Sequence, residues 1–439
     1  MLNSYRIHNH LIIRVKTWKL LLFGTCLFFL LAACTSTKKR IGKQLKSNFS
    51  TSFYNHQFTG VLIIDAETKD TIYNLNSAKY FTPASNTKIF TLYTALQSLP
   101  ERIPALRYIT KNDTLFFEGT GDPSLLYPYF QDSTTIQFLR KYPNLVYASN
   151  NFLDSKYGPG WAWEDFLYYY SPERNALPVH GNVLLSYKNP DLQVTPSYFA
   201  DSVLEISHKE NRNRNKNLFF YPPESRDTLE IPFIVNTQST LGILEKELHK
   251  KIEISNNMPL GEKQTLYGIK SDSLYTRMMH ESDNFIAEQL LILSASTLTD
   301  SLDSQIARTH ILENQLNDLK QQPRWVDGSG LSRYNLFTPQ NMVAVLDKLY
   351  QDISRERLFS IFPAGGISGT LKNRFKGERE PYLFAKSGSL SNNYCLSGYL
   401  VTNSGKTLIF SFMNNHFKQS TSEERLYMER IFKLLRDTY

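Results

Sequence analysis

A serine and a lysine three positions apart are the first candidates for chemistry in this chain. Ser85 and Lys88 lie in PASNTKIFT, ahead of a run whose apolar residues recur at helical spacing. Residues i and i+3 of a helix share a face, so Lys88 can reach the Ser85 hydroxyl. A hydroxyl is a weak nucleophile until a base removes its proton, and a lysine with a lowered pKa can be that base. The pair alone does not show that Ser85 is a nucleophile, because Ser is also a favoured helix cap. Residues 36–39, Ser-Thr-Lys-Lys, show the same spacing of Ser and Lys.

A second candidate is the Ser-Asp-Asn run inside HESDNFIAEQLL. Ser282 and Asn284 are two positions apart, which a regular helix would direct to different sides. The two side chains converge only if the chain turns there, between two helical runs. Ser-x-Asn also occurs at 149–151, 255–257 and 391–393, so the pattern alone is weak.

A third candidate is FAKSGSL, on a predicted strand near the C-terminus. Lys386 supplies a cation for a carboxylate, and the Ser387 hydroxyl can help to hold it. Gly388 in a strand often marks the close approach of another backbone. The alternative is an ordinary edge strand with a solubilising lysine. The three patterns together, in this order, match the Ser-x-x-Lys, Ser-Asp-Asn and Lys-Thr-Gly series, with Ser in place of the Thr.

The chain resembles the class C low-molecular-mass penicillin-binding proteins, the D-Ala-D-Ala carboxypeptidase/endopeptidases. Further blocks match that family in order: GTGDPSLL, GPGWAWEDF, SDNFIAEQLL, WVDGSGLSRYNLFTP, FPAGGISGTLKNR and AKSGSLSNNYCLSGY. The resemblance covers roughly residues 53–437 and is weakest from about 190 to 265. Ser85 and Ser282 are 197 positions apart. Class A β-lactamases resemble the chain less because they lack such an insertion, and class C β-lactamases carry tyrosine where this chain has Ser282.

The resemblance implies a serine-type peptidase that acts on peptidoglycan stem peptides through an acyl-enzyme. Ser85 would attack the carbonyl, Lys88 would take its proton, and Ser282 would relay a proton to the leaving amine. Asn284 would orient the substrate amide and Lys88. Lys386, with Ser387, would hold the terminal carboxylate and keep Lys88 partly neutral by charge repulsion. A β-lactam would acylate the nucleophile and stay.

The resemblance also implies subsites around that serine. The backbone N–H groups of Ser85 and Ser389 would form the oxyanion hole, with Ser389 on the strand that carries Gly388. Asp165, with Glu164 and Trp161, would pair with the free amine of the stem peptide's diamino acid; the alternative is a surface acid beside core tryptophans. DGSGLS, residues 327–332, is interpreted as a structural turn near the cleft, and Cys395 as a buried apolar residue.

The order of elements predicts an α+β fold. A hairpin, a helix over about 85–99, later helices, three strands and a final helix suggest an antiparallel sheet flanked by helices, the penicillin-binding and serine β-lactamase-like transpeptidase fold. Residues 53–111 and 266–439 are assigned to this domain. Residues 112–265 contain short strand-like runs broken by turn residues, and are assigned to a β-rich insertion.

The N-terminus predicts export. Residues 1–33 are basic and then apolar, as in a secretory signal, and the run ends in LAAC, which resembles a lipobox with lipidation at Cys34. The alternative is a plain signal peptide that contains a cysteine. Residues 34–52 are predicted to be a polar tether that runs into a first helix. The predicted location is the cell envelope, on a lipid anchor facing the periplasm.

Charge and composition exclude several classes of partner. The full chain carries 49 basic and 41 acidic residues; residues 1–33 hold four basic and no acidic ones, which leaves a net charge of +4. This excess is too small to indicate nucleic-acid binding.

The histidines and cysteines indicate neither a metal site nor a disulfide framework. The nine histidines lack metal-ligand spacing, and the three cysteines provide no disulfide framework. No cofactor is expected.

Two other functions stay open from the sequence. A β-lactamase or esterase on the same scaffold would turn a β-lactam over rapidly instead of holding it as an adduct. A non-catalytic cell-wall-binding protein would keep the fold, but it would not need to retain Ser85, Lys88 and Lys386 together.

Overall fold

The computed structural model describes residues 38–439, so the predicted signal and Cys34 lie outside the described residues. The helices are residues 38–49 (α1), Lys88–Ser98 (α2), Thr134–Arg140 (α3), Thr237–Leu248 (α4), Ser271–His280 (α5), Asn284–Ser296 (α6), Ser304–Asn314 (α7), Pro339–Asp352 (α8), Arg355–Ile361 (α9) and Thr421–Thr438 (α10). The strands are Phe58–Asp65 (β1), Thr71–Leu75 (β2), Arg102–Lys111 (β3), Thr114–Gly119 (β4), Asn144–Ala148 (β5), Val183–Lys188 (β6), Leu192–Thr195 (β7), Val203–Leu204 (β8), Phe219–Phe220 (β9), Leu229–Pro232 (β10), Ile252–Ser255 (β11), Gln264–Lys270 (β12), Leu383–Leu390 (β13), Asn393–Val401 (β14) and Thr407–Asn415 (β15).

The central sheet joins the two ends of the chain. Its five strands run antiparallel in the order β13-β14-β15-β1-β2, so the first strand pairs with the last, Phe58 opposite Asn415. The predicted hairpin is β1–β2, and the three predicted C-terminal strands are β13, β14 and β15. The final helix α10 begins with a capping box, in which Ser420 and Glu423 bond each other's backbone N–H groups.

Both faces of this sheet are covered by helices, because apolar residues on its strands alternate between two cores. Ile409 and Met413 of β15 pack with α2, α5, α6 and α8. Phe410 and Phe412 of the same strand face the other way and pack with α1 and α10. The prediction of an antiparallel sheet flanked by helices describes this arrangement.

Helix α1 corrects part of the predicted tether. Ile41, Leu45 and Phe49 are buried in the core under α10, and the Phe49 ring stacks on Tyr73 with 5.2 Å between centroids. Residues 38–49 therefore pack against the domain and do not hang free of it. The apolar residues at intervals of four make the helix amphipathic, which explains why a stretch that is polar overall still docks.

The long insertion has its own core and sheets. A five-stranded sheet has the order β11-β5-β4-β3-β12, with β4–β5 and β5–β11 parallel and the other pairs antiparallel. A smaller sheet has the order β10-β6-β7, and helices α3 and α4 pack into the same core. The boundaries at 111 and 266 stay a prediction. Strands β3 and β12 pair with each other beside them, so the larger sheet includes residues on both sides of each boundary.

Candidate active site

Ser85 lies on a turn that immediately precedes a buried helix. Residues Ala84–Thr87 form a 3₁₀ turn, and α2 continues from Lys88. Ala84 has φ +48°, a left-handed conformation that is unusual for a residue with a side chain. The strained turn leaves Ser85 partly exposed while Lys88 is fully buried. Lys88 Nζ lies 3.0 Å from Ser85 Oγ, as the i, i+3 spacing predicted.

The three oxygen contacts of Lys88 can hold a charged ammonium, and they also leave a lone pair for Ser85 once the amine is neutral. Its Nζ donates to Asn284 Oδ1 at 2.7 Å and to the Ser329 carbonyl at 2.8 Å, and both oxygens can only accept. A neutral amine has two hydrogens and one lone pair, so those two bonds use the hydrogens and leave the lone pair for the Ser85 hydroxyl. Burial lowers the pKa of Lys88 to about 8, although the negative charges of Glu288, Asp327 and Asp283 oppose the shift.

Ser282 and Asn284 converge because the chain turns between α5 and α6, as the sequence required. Ser282 has φ +57°, and Asp283 caps α6 by accepting from the Ile286 N–H at 3.0 Å. Asn284 Nδ2 donates to the Tyr170 carbonyl at 3.0 Å. This bond fixes the amide with Oδ1 towards Lys88.

Strand β13 brings a second buried lysine to the same place. Lys386 Nζ donates to Ser282 Oγ at 2.9 Å and to the Ser387 carbonyl at 2.7 Å. Burial lowers the pKa of Lys386 well below its usual range, and repulsion from Lys88 adds to the shift. Gly388 permits the approach: a Cβ there would lie 2.6 Å from the Pro83 carbonyl oxygen, on the turn that holds Ser85. The glycine therefore marks a close backbone contact, as predicted.

Two cavities meet at Ser85. One of about 800 Å³ is also lined by Ser282, Asn284, Ser387 and Ser389. The other, of about 470 Å³, shares Ser85, Asn284 and Ser389 with the first and adds Glu164 and Asp165 among its lining residues. The structure thus brings together the residues of all three patterns. Lys88 and Lys386 are buried, and they contact the cavity-lining residues Ser85 and Ser282.

The three residues predicted from GWAWEDF do not all lie at the same cavity, since Glu164 and Asp165 line the smaller one and Trp161 does not. Asp165 lines the smaller cavity and accepts from the Tyr170 hydroxyl at 3.0 Å. Trp161 lines neither of the cavities that contain Ser85 within the described chain; its Nε1 donates to Asp327 Oδ2 at 2.9 Å. The contact of Trp161 with a substrate ammonium stays a prediction, and its indole N–H is already bonded to a buried carboxylate.

The sequence predicted a structural turn over residues 327–332, but it did not identify the Ser329 carbonyl as a contact of Lys88. Asp327 is fully buried and accepts from the Gly330 N–H at 2.9 Å, the Ser332 N–H at 2.7 Å and Asn335 Nδ2 at 2.7 Å, besides Trp161. Gly330 has φ +81°, and a Cβ there would lie 1.9 Å from the Ala84 carbonyl oxygen. The predicted structural turn over 327–332 thus packs directly on the turn that carries Ser85.

A buried ion pair fixes the other side of this loop. The Ser329 N–H donates to Glu288 Oε1 at 2.8 Å, and Glu288 Oε2 lies 3.3 Å from Arg174 Nη1. Arg174 is 1% exposed and comes from the insertion. The position of the Ser329 carbonyl, and through it of Lys88, therefore depends on contacts between the insertion and α6.

Asp327→Ala is expected to lower the free energy of unfolding by about 3–5 kcal/mol, because it leaves four buried donors without their acceptor. Urea denaturation followed by circular dichroism measures the change. Asp113→Ala, at an exposed carboxylate, is the matched control. A loss below about 1 kcal/mol at Asp327 would contradict the network's structural role.

Within residues 38–439, no group of three or more His, Cys, Asp or Glu side chains is arranged to hold a metal ion. Cys395 is a free thiol, fully buried in the core beside α2, and burial raises its pKa. In the same range, every helix is too short or too polar to cross a bilayer.

Comparisons with known proteins show the family of this chain. The profile of the D-Ala-D-Ala carboxypeptidase 3 (S13) family matches residues 43–203 and 223–436. D-alanyl-D-alanine carboxypeptidase DacB of Haemophilus influenzae is 25% identical over 423 residues, which cover 84% of this chain and 87% of the relative. D-alanyl-D-alanine carboxypeptidase of an Actinomadura species is 25% identical over 420 residues, which cover 81% and 77%.

A solved structure shares the fold. The crystal structure of penicillin binding protein 4 (dacB) from Haemophilus influenzae superposes with a TM-score of 0.70 at 22% identity, covering 89% of this chain and 98% of that one. The family resemblance and the predicted fold class are confirmed.

Proposed function

This chain belongs to the D-Ala-D-Ala carboxypeptidase 3 (S13) family, and from that premise we propose that it hydrolyses the D-Ala-D-Ala bond of peptidoglycan stem peptides and the D-Ala cross-bridge bond through an acyl-enzyme on Ser85. The observation that carries the proposal is the buried Lys88 amine, 3.0 Å from Ser85 Oγ and already donating to two carbonyl-type oxygens. An amine held in this way is positioned to act as the general base for the Ser85 hydroxyl.

Acylation uses that base. Lys88 Nζ takes the hydroxyl proton as Ser85 Oγ bonds to the substrate carbonyl carbon. The backbone N–H groups of Ser85 and Ser389 receive the developing oxyanion, an interaction worth roughly 10²–10³ in rate per donor. The C–N bond then breaks, the leaving amine takes a proton by way of the Ser282 hydroxyl, and water later releases the acyl group.

Lys386 recognises the terminal carboxylate of the substrate. Its low pKa in the free protein means that an arriving carboxylate stabilises the charged form and raises that pKa. The charged Lys386 in turn disfavours protonation of Lys88, so substrate binding keeps the base neutral. Ser387 Oγ, held by Thr370 Oγ1 at 2.7 Å, lies at the same cavity wall.

Asp165 and Glu164 supply a second recognition point in the smaller cavity. A carboxylate there suits the free ammonium of a diamino acid in the stem peptide. The Tyr170 hydroxyl donates to Asp165 and orients its carboxylate. The backbone carbonyl of the same tyrosine accepts from Asn284 Nδ2 and orients that amide. The amine subsite and the catalytic amide are therefore held by one residue.

Purified muropeptides test the proposal. Incubation with the protein is expected to remove terminal D-Ala from pentapeptide monomers and to convert cross-linked dimers to monomers, scored by mass spectrometry. Protein blocked beforehand with benzylpenicillin is the control and should do neither. Unchanged muropeptides combined with rapid hydrolysis of the penicillin would replace the proposal with a β-lactamase.

The acylation rate is expected to rise with pH and to level off above about 8, the pKa of Lys88. Lys88 must be neutral to accept a proton, and its neutral fraction falls about tenfold per pH unit below the pKa. The second-order rate constant for a fluorescent penicillin, measured from pH 6 to 10, reports the midpoint. A rate that does not change across this range, with circular dichroism constant, would exclude Lys88 as the base.

We further propose that the mature chain is a lipoprotein anchored at Cys34 and facing the periplasm, because the cysteine follows the apolar run directly. Cys34→Ser is expected to move the protein from the membrane fraction to the soluble periplasmic fraction and to abolish incorporation of labelled palmitate. Cys395→Ser, at a buried thiol, is the matched control. Membrane association unchanged by Cys34→Ser would contradict the anchor.

A further inference from the structure

A third cavity, of about 480 Å³, lies on the insertion side of the GWAWEDF segment. Trp161, Trp163 and Phe166 line it, and Ala162 is shared with the smaller cavity at Ser85. Segment 158–166 is thus a wall between two cavities, and Ser85 lines only those on the other side. The volume falls in the range of small-molecule sites.

A buried arginine lines this third cavity without a full set of hydrogen bonds. Arg212 is 1% exposed, and within the described chain its Nε and Nη1 have no partner of normal geometry. Its guanidinium lies 5.2 Å from the centre of the Phe166 ring. Burial lowers the pKa of Arg212, although the nearby Tyr157 and Glu173 favour the charged form. Buried guanidinium donors left unpaired are costly, so such a group marks a place where an acceptor belongs.

The other charges at the cavity already have partners. The Glu173 carboxylate accepts from the Tyr157 hydroxyl at 3.1 Å and the Val235 N–H at 2.9 Å, and it pairs with Lys156 at 3.0 Å. Glu173 is therefore neutralised by a lysine and does not serve Arg212 alone.

Arg214, also at the cavity, pairs with Glu210, with Arg214 Nε 3.0 Å from Glu210 Oε1. When Glu173 is counted with Lys156 and Arg214 with Glu210, the charge of Arg212 remains in excess among the described residues at the cavity, although Arg212 also lies near Tyr157 and Glu173. The cavity carries a net positive charge of about one unit, which favours a singly charged anion.

The walls of the cavity are aromatic and suit a flat apolar body. Trp163 and Phe166 stack with 5.8 Å between ring centroids, and Trp163 is 66% exposed. The Arg214 guanidinium lies over the Trp163 ring at 4.7 Å. Trp163 therefore leaves part of a large aromatic ring accessible at the same cavity as the buried Arg212 guanidinium.

We propose that this third cavity binds a small organic anion with a flat apolar body, with the anionic group against Arg212 and the body against Trp161, Trp163 and Phe166. The site is distinct from the catalytic cleft and does not depend on the chemistry proposed there.

Isothermal titration with 2-naphthoate, and with the uncharged 2-naphthamide as its matched control, tests the site. Ser85→Ala protein is used so that no turnover contributes. Naphthoate is expected to bind at least about fivefold more tightly than naphthamide, since one charge-assisted contact is gained. Arg212→Met, which keeps the length and apolar character of the buried stem, should remove that difference.

A second variant keeps the test decisive if Arg212→Met fails to fold. Ile234→Trp places an indole at a half-buried lining position and should weaken both probes at least about fivefold by filling the cavity. Naphthoate could also bind in the catalytic cleft, where Lys386 is proposed to hold a carboxylate. If neither Arg212→Met nor Ile234→Trp weakens naphthoate binding, the probe binds outside the third cavity and the proposal is overturned. Equal affinity of the folded Ser85→Ala protein for naphthoate and naphthamide would overturn the proposal as well.

Discussion

Ser85→Ala is expected to abolish covalent labelling by a fluorescent penicillin, with a loss of at least about 10⁴-fold in acylation rate. In the proposed mechanism the Ser85 Oγ atom forms the ester, and Ser85 lines both cavities of the cleft. Ser387 and Ser389 also face that cleft, but Lys88 Nζ bonds the Ser85 hydroxyl. The label is scored on denaturing gels after incubation for several times the wild-type labelling period.

The chain supplies its own matched control for this variant. Ser36, in the second Ser-x-x-Lys match, lies outside the described residues, and Ser36→Ala should label at the wild-type rate. Covalent label retained by Ser85→Ala, and mapped to another serine by mass spectrometry, would refute the assignment of the nucleophile.

Lys88→Met is expected to slow acylation by about 10²–10⁴-fold, the usual contribution of a positioned general base. The three contacts of Nζ give the physical reason. Asn284 Oδ1 and the Ser329 carbonyl occupy the two hydrogens of a neutral amine, so the lone pair is directed at the Ser85 hydroxyl. Methionine keeps the buried stem and removes only the amine. Stopped-flow measurement of the penicillin acylation rate gives the size of the loss.

Lys79→Met, at an exposed lysine ahead of the same turn, should acylate at the wild-type rate. The pH profile separates a base from a merely structural lysine: the residual activity of Lys88→Met should no longer show a midpoint near 8. A variant that acylates within threefold of wild type, or that keeps this midpoint, would show that another group removes the proton.

The residues that make the site could be predicted where local spacing decides the geometry. Ser85 and Lys88 are three apart on a helical turn, which alone brings their side chains within bonding distance. Ser282 and Asn284 required a break between helices, and the left-handed φ of Ser282 is that break. Gly388 required a neighbouring backbone, and the Pro83 carbonyl is there.

Contacts made by backbone atoms and by distant residues could not be predicted in this way. The Ser329 carbonyl is an acceptor that every residue type possesses, so no residue pattern identifies it. Trp161 was assigned to the substrate site from the family resemblance, and the sequence did not reveal that its indole N–H bonds Asp327, 166 positions away. The parallel pairs β4–β5 and β5–β11 were missed because short apolar runs do not reveal their partners.

The pairing of β1 with β15 has a consequence for the newly made protein. The sheet cannot close until the last strand is available, and Lys386 reaches the cleft only on that closed sheet. A chain still emerging from the ribosome holds Ser85 and Lys88 but lacks the strand that carries Lys386. We therefore expect the nascent chain to be inactive until its last strands have been synthesised and paired.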